Sequence, residues 1–244
     1  MIKKLLHALE NYLLTKTCLF CHTASNNHID LCLPCRADLP WAKQTCVRCA
    51  NLLPDTLPDI LRGELICGEC LVNPPPFTQT HTLFHYQEPI ANIITAFKFH
   101  KKLAAGRVLS QLMLETLAPR YLQLPDVVIP VPLHKTRLRE RGYNQALELA
   151  KPLTKKLAIP LDYLSCVRSK ATVPQTQIPA DQRLHNVKDA FTVLDPAIKD
   201  KHIAIVDDVV TTGHTVRALS ETLLRQGARR VDVWCCAKTQ LPKK

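Results

Sequence analysis

Near its end the chain reads Ile203-Ala204-Ile205-Val206-Asp207-Asp208-Val209-Val210-Thr211-Thr212-Gly213-His214-Thr215. Its run of β-branched and aliphatic residues is typical of a parallel-sheet strand that is covered on both faces. Asp207 and Asp208 would then stand at the carboxyl end of that strand, where open α/β sheets bind their ligands. The stretch therefore predicts an α/β fold with a ligand site at the acidic pair.

The turn that follows this strand suits a phosphate monoester. It offers threonine hydroxyls, one glycine and the backbone N–H groups at the positive end of a helix that we expect to begin near Val216. The residues of the turn are Thr211, Thr212, Gly213, His214 and Thr215. Carboxylates for sugar hydroxyls beside a cradle for a phosphate predict a ribose 5-phosphate site.

This pattern resembles the signature of type I phosphoribosyltransferases, whose ligand is phosphoribosyl pyrophosphate (PRPP). The resemblance implies that Asp207 and Asp208 accept hydrogen bonds from the ribose hydroxyls and that the turn binds the 5-phosphate. It also implies Mg²⁺ on the pyrophosphate. An acidic pair at a strand end occurs by chance in many α/β proteins, so the threonine-rich turn beside it is what makes the signature specific.

The composition predicts a soluble globular protein with an affinity for anions. Of the 244 residues, 46% are hydrophobic, which is ordinary for a chain that buries a real core. The formal net charge of +11 favours phosphorylated ligands or polyanions such as nucleic acid, the alternative being a merely basic surface. The start of the chain predicts an amphipathic helix rather than a signal peptide, and no stretch is apolar for the roughly 18 residues of a membrane span. We therefore expect a cytoplasmic protein.

Eight of the eleven cysteines form four C-x-x-C pairs in the first 70 residues, namely Cys18/Cys21, Cys32/Cys35, Cys46/Cys49 and Cys67/Cys70. Two such pairs complete a closed tetrahedral site, so the sequence predicts two structural Zn²⁺ ions and no metal catalysis. Disulfides are disfavoured in a reducing cytosol, and redox chemistry normally uses one pair rather than four. Sequential pairing encloses short loops and is the simplest arrangement, with an interleaved pairing as the alternative.

The run Asn73-Pro74-Pro75-Pro76 predicts a boundary, since three prolines cannot continue a helix or a central strand. We expect an amphipathic helix and a double zinc module over residues 1–73, and an α/β domain over residues 77–244. Hydrophobic periodicity in the second part predicts strands over 80–86, 127–131, 203–210 and 230–238. Helices are predicted over 89–99, 108–117, 144–157 and 215–226, and this alternation indicates a parallel sheet.

Basic segments occur at several places in the second part. A cluster runs from Lys98 to Arg107, and the loop after strand 127–131 carries Arg137, Arg139 and Arg141 about a helix start. Guanidinium groups bind phosphate oxygens bidentately, so these arginines suit either the pyrophosphate of a PRPP-like ligand or a DNA backbone. A further polar segment, residues 168–186, is typical of a lid or of a disordered loop. Its candidate residues are Thr172, Gln175, Arg183 and Asn186.

Taken together, the chain resembles the ComF family of competence-associated proteins nearly from end to end. The motifs that carry the resemblance are the four C-x-x-C pairs, Pro130 to His134, Arg137 to Ala146, Thr172-x-x-Gln175, Arg183-x-x-Asn186-Val187 and Asp207 to Gly213. His214 departs from the family pattern, where a small residue is more usual. The resemblance implies a cytoplasmic role in natural transformation, in which the protein handles incoming single-stranded DNA, with other DNA-uptake proteins as further partners.

Two other functions stay open at this point. One is an active phosphoribosyltransferase that uses PRPP and Mg²⁺ with an unknown acceptor, and the other is a regulatory binder that senses PRPP or a nucleotide. Single-strand binding by base stacking needs exposed aromatic residues. Only 5% of the chain is aromatic, with Tyr143 and Phe99 beside basic clusters, which favours contacts to the DNA backbone over base stacking.

Overall fold

The computed structural model describes residues 16–25, 28–54, 65–118, 124–169 and 190–240. The amphipathic helix predicted at the start of the chain lies outside these ranges. So do the four candidate residues of the polar segment, Thr172, Gln175, Arg183 and Asn186. Within the described ranges, no helix combines the length and the apolar character that a bilayer crossing requires.

The strands, in chain order, are β1 (Lys16–Thr17), β2 (Ala24–Ser25), β3 (Gln79–His85), β4 (Val127–Pro130), β5 (Cys166–Arg168), β6 (Phe191–Val193), β7 (His202–Val210) and β8 (Arg230–Lys238). The helices are α1 (Leu33–Ala37), α2 (Gly68–Val72), α3 (Ile90–Phe99), α4 (Leu103–Leu117), α5 (Lys135–Arg141), α6 (Gln145–Leu157) and α7 (His214–Arg225). A short 3-10 helix covers Pro196–Ile198.

The central sheet has four parallel strands in the order β3-β8-β7-β4. Strand β7 lies inside it and alternates between two apolar clusters. Ala204 and Val206 belong to the cluster that contains side chains of α3, α4 and α6, whereas Ile203 and Ile205 belong to the cluster on the α7 side. The sheet is therefore covered on both faces, which confirms the predicted α/β fold.

Two elements differ from the sequence-based expectation. Residues 135–141, predicted as a loop about a helix start, form the complete helix α5, which begins after a His134 cap and ends at Gly142. The antiparallel hairpin β5–β6 was not predicted, because its two strands of three residues are too short to show a period. Both elements lie at the carboxyl end of the sheet, beside the predicted site.

The cysteine-rich part packs directly on the β3 edge of the sheet. Trp41 forms an isolated antiparallel bridge with Phe84, and the Ala42 N–H donates to the Leu83 carbonyl at 2.7 Å. Near the start of β3, the Thr80 N–H donates to the Val47 carbonyl at 2.9 Å. These contacts satisfy backbone groups that an uncovered edge strand would expose. The first half of the cysteine-rich part also belongs to the same apolar cluster as the sheet.

Candidate functional site

The acidic pair lies at the carboxyl end of β7, and its two side chains meet different surroundings. Asp208 is 6% exposed and lies on the same face of the sheet as Val206, toward α3. Asp207 is partly exposed and lies on the opposite face, with Ile205. The Asp207 carboxylate accepts a hydrogen bond from the Asp208 N–H at 2.9 Å. One dipeptide thus supplies two carboxylates in distinct surroundings.

Asp208 forms an ion pair with a lysine that is distant in sequence. The Nζ of Lys98, near the end of α3, lies 2.8 Å from Oδ1 of Asp208. Burial disfavours the charge of Lys98, but the carboxylates of Asp208 and Asp207 outweigh this effect and raise the pKa of Lys98 above its usual value. In the sequence, Lys98 belongs to the basic cluster from Lys98 to Arg107, and its contact with the acidic pair was not predicted.

Asp207 has a pKa near neutrality. Although the residue as a whole is partly exposed, the groups packed around its carboxyl end exclude water from it. This desolvation is the main cause of the shift and the neighbouring carboxylate of Asp208 the next, and together they raise the pKa of Asp207 to about 7. The positive charges of Lys98 and Arg168 act in the opposite direction. A desolvated carboxyl group with a raised pKa in a cleft is typical of a functional site.

The turn after β7 leads directly into the start of a helix. Gly213 has a left-handed φ of 83° and brings the chain directly into α7, which begins at His214, two residues before the expected start near Val216. The first N–H groups of a helix have no intrahelical acceptor. A recess of about 30 Å³ opens beside them, and Asp207, Thr211, Gly213 and Thr215 are among its lining residues.

Two contacts within this turn were not expected from the sequence. The almost fully buried Lys238 donates from Nζ to the carbonyl oxygens of Thr211 at 2.6 Å and Thr239 at 2.8 Å, which fixes the start of the turn. The ring of His214 bonds the hydroxyl of Thr212, with 3.1 Å between Nδ1 and Oγ1. Neither Thr212 nor His214 is among the described residues that line the recess or the larger cavity beside it.

A cavity of about 580 Å³ opens over the carboxyl ends of β4 and β7. Its described charged lining residues are Lys98, Lys101, Arg137, Arg141 and Arg168 together with Asp207, Asp208 and Glu140. Thr211 and Thr215 from the turn also line it. Five cationic groups against three carboxyl groups give a net positive wall, and its volume lies within the range of small-ligand sites.

Helix α5 sorts the three predicted arginines onto two faces. Arg137 and Arg141 are one helical turn apart and both line the cavity, whereas Arg139 lies between them in sequence and is exposed outside it. Arg141 also donates from Nη1 to Oε1 of Gln145 at 2.9 Å. Burial lowers the pKa of Arg137. This division follows from helical spacing, and it was not predicted because residues 135–141 were expected to form a loop.

Arg168 reaches the same cavity from the β5–β6 hairpin. Its guanidinium carbon lies 5.5 Å from the centroid of the Phe191 ring, and burial lowers its pKa to about 10. In the sequence it was the first residue of the polar segment, and it lines the cavity.

The eight paired cysteines form two compact groups. Cys18, Cys21, Cys32 and Cys35 make the first, and the second contains Cys46, Cys49, Cys67 and Cys70. Within each group all four sulfur atoms lie within 4.8 Å of one another, which fits the spacing of four thiolates around one tetrahedral Zn²⁺. The predicted sequential pairing is therefore confirmed, and the interleaved alternative is wrong.

Both cysteine groups are built in the same way. Each begins with a knuckle in which the first cysteine carbonyl accepts a hydrogen bond from a residue with left-handed φ, His22 in one group and Ala50 in the other. Each ends with a C-x-x-C pair whose first cysteine, Cys32 or Cys67, precedes a short helix. The chain thus carries two copies of one zinc-ribbon element, and both are suited to structural zinc.

Known proteins share this architecture. The family model described as a double zinc ribbon domain matches residues 9–71, and the model of a phosphoribosyl transferase domain matches residues 144–240. The DNA utilization protein YhgH of Escherichia coli (strain K12) is 38% identical over 216 residues, covering 87% of this chain and 92% of that protein. Competence protein F of Haemophilus influenzae is 35% identical over 178 residues, or 70% of this chain and 78% of its own length. With both domains in order and relatives that match along most of its length, the chain belongs to the ComF family of competence-associated proteins.

Proposed function

We propose that this chain handles single-stranded DNA during DNA uptake or utilization, as a cytoplasmic protein. In this proposal its phosphoribosyltransferase scaffold keeps a site for PRPP or a related ribose phosphate. The relatives are named for DNA utilization and for competence, which supports the cellular role. The observation that carries the molecular part is the single cavity that unites two carboxylates, a helix-start turn and five cationic side chains.

The cavity offers a complementary group for each part of such a ligand. Asp207 accepts hydrogen bonds from the ribose hydroxyls, while Asp208 is already paired with Lys98. The N–H groups at the start of α7 and the hydroxyls of the turn bind the 5-phosphate. Arg137 and Arg141 face the pyrophosphate as bidentate donors. Mg²⁺ is commonly bound by one or two carboxylates plus substrate phosphates, and Asp207 suits that position.

The DNA contact continues the positive charge of the cavity onto the surface. Lys101 and Lys102 are exposed after α3, and Arg139 is exposed on the outer face of α5. Contacts of this kind hold phosphates without reading sequence. We expect the affinity for single-stranded DNA to fall linearly on a log–log plot against salt, with a slope of about −0.7 per phosphate contact.

The test combines two assays on the same protein. Single-stranded DNA is titrated by fluorescence anisotropy at several salt concentrations, and pyrophosphate release is followed with PRPP, Mg²⁺ and each nucleobase in turn. Salt-dependent DNA binding without pyrophosphate release supports a DNA-handling protein that uses its PRPP site for binding alone. If DNA does not bind, or binds with an affinity that salt leaves unchanged, the proposal is wrong.

A second candidate is phosphoribosyl transfer, favoured by the cationic groups around the proposed pyrophosphate position. The bond between ribose C1 and pyrophosphate would break, a bond from C1 to the acceptor would form, and the cations would stabilise the departing pyrophosphate. Pyrophosphate release that depends on one nucleobase would support this activity. A third possibility is a regulatory function in which PRPP alters DNA binding. In that case PRPP should shift the anisotropy curve of the DNA titration.

A further inference from the structure

An aromatic ring lies at the mouth of the cavity, and none of the contacts proposed for the ribose phosphate involves it. Phe99, the last residue of α3, lines the cavity with 61% of its surface exposed. Tyr86, the other aromatic residue among the described lining residues, packs against the apolar core, as Tyr143 does. Exposing a phenyl ring forgoes the stabilisation of burying it. A contact with a ligand would recover that stabilisation.

The surroundings of Phe99 are cationic. The guanidinium carbon of Arg141 lies 5.0 Å from the centroid of the Phe99 ring, within the range of a cation–π contact. Lys101 also lines the cavity, two residues along the chain. Proteins that bind single strands combine an aromatic ring, on which a base stacks, with cations that hold the adjoining phosphates. The mouth of this cavity holds both components.

The backbone beneath the ring is firmly held. The Tyr143 hydroxyl donates to the Phe97 carbonyl, and the Gln145 side chain donates to the Lys98 carbonyl at 3.5 Å. Lys98 is in turn tied to Asp208. The end of α3 is therefore fixed to the start of α6 and to the acidic pair, so a ligand gains the ring contact without having to order this segment.

We propose that Phe99 is a stacking platform for one nucleobase of single-stranded DNA, with Arg141 and Lys101 binding the phosphates on either side of that nucleotide. The inference rests on the proposed DNA-handling function and deepens it by naming the base face as a ligand group. Because every base offers a π-face, the contact tolerates any sequence. From the low aromatic content of the sequence we expected contacts to the DNA backbone alone. The exposed Phe99 ring at the cationic cavity leads us to add a contact with one base.

The test uses two single strands of equal length and charge. One is oligodeoxythymidylate, and the other is the same backbone with abasic positions, which keeps the phosphates and lacks the bases. Stacking on one aromatic side chain is worth about 5- to 150-fold in affinity. We expect the parent protein to prefer the thymidylate strand by a factor in this range, and Phe99→Ala to bind both strands alike.

A fluorescent variant gives a direct signature of stacking. The chain has two tryptophans, Trp41, which is partly buried, and Trp234, which is fully buried. Phe99→Trp adds an exposed indole whose emission a stacked base should quench. We expect quenching by the thymidylate strand and little by the abasic strand, with the parent as the background control.

A matched control is Leu194→Ala, which truncates another exposed apolar residue, 63% exposed, just beyond β6 and at the opposite end of the hairpin from Arg168. It should keep the parent preference. A preference that survives Phe99→Ala, or a parent that binds both strands equally, overturns the stacking platform and leaves the proposed DNA binding intact. If neither strand binds the parent, the proposed DNA handling and the platform fail together.

Discussion

At the level of single residues, the two aspartates of the site differ in their surroundings. Asp208 is buried and paired with Lys98, whereas Asp207 has a pKa raised to about 7 by burial and by the charge of its neighbour. The carboxylate of Asp207 is thus disfavoured in the free protein. In the proposed site, ligand hydroxyls or a cation would stabilise the ionised form of Asp207, which the surrounding fold disfavours.

The raised pKa of Asp207 predicts that Asp207→Asn changes the stability of the protein in a pH-dependent way. The folded-state pKa lies above the value of an unfolded aspartate, so the parent loses stability as the pH rises from about 4 to 7. The variant's amide side chain cannot ionise and escapes that loss. The melting temperature of the variant relative to the parent should therefore rise across this window and level off above about pH 7, as measured by calorimetry at several pH values. A difference that stays constant with pH would contradict the raised pKa.

The sequence was sufficient to locate these residues but not to describe their environment. Asp207 and Asp208 lie near the carboxyl end of β7, as the pattern indicated, because the apolar run from Ile203 to Val206 identifies a buried strand. The partnership with Lys98 joins positions that are far apart along the chain, and only the packing of α3 against β7 creates it. Lys238 went unnoticed for the same reason.

At the scale of elements, helix α5 and the turn before α7 shape the cavity. Residues 135–141 include one apolar residue, Leu138, so the segment has no hydrophobic periodicity that could predict a helix. The helix is defined at its ends instead, by the His134 cap and by Gly142 with φ of 82°. Its consequence is that Arg137 and Arg141 share a face while Arg139 points elsewhere.

The two faces of α5 predict different effects for neighbouring arginines. Arg137→Ala should weaken PRPP binding about tenfold or more, since a charge-assisted hydrogen bond to phosphate contributes about 1.5–3 kcal/mol. Arg139→Ala should leave PRPP affinity unchanged and flatten the salt dependence of DNA binding by about one contact. Calorimetry with PRPP and anisotropy with DNA measure both effects. Equal losses of PRPP affinity in the two variants would show that α5 does not sort its arginines as described.

The turn predicts that Lys238 is a positioning residue. Lys238→Met fills a similar volume but leaves the carbonyls of Thr211 and Thr239 without this donor, which should cost about 1–3 kcal/mol. The melting temperature should fall, and ribose 5-phosphate should bind more weakly than to the parent. Lys156→Met, at an exposed position of α6, serves as the control. Unchanged affinity for ribose 5-phosphate would show that the turn holds its shape without Lys238.

At the scale of the whole molecule, the two zinc ribbons stand in different relations to the sheet. Cys18, Leu31 and Leu39 lie in the same core cluster as Phe84 and Phe97, so the first ribbon is part of the main core. The second ribbon has a small cluster of its own, with Cys46, Leu53 and Cys70. The C-x-x-C spacing predicted both sites, but it carried no information about how either ribbon docks.

This asymmetry predicts unequal effects of losing each zinc. The parent should contain two zinc ions per chain, and Cys32→Ser and Cys67→Ser about one each, by elemental analysis. Cys32→Ser should lower the melting temperature of the whole sheet, because its ribbon contributes to the main core. Cys67→Ser should act more locally and leave the main transition closer to the parent. The reverse order would contradict the shared core of the first ribbon.

The central claim is that the cavity binds a ribose 5-phosphate ligand through Asp207, and calorimetric titration with PRPP and Mg²⁺ tests it most directly. We expect one ligand per chain for the parent and an affinity about 10- to 150-fold lower for Asp207→Asn, which removes a charged acceptor. Asp200→Asn, at an exposed turn beyond the opposite end of β7, should bind as the parent does. A parent that does not bind PRPP, or an Asp207→Asn variant that binds it equally well, would contradict the claim.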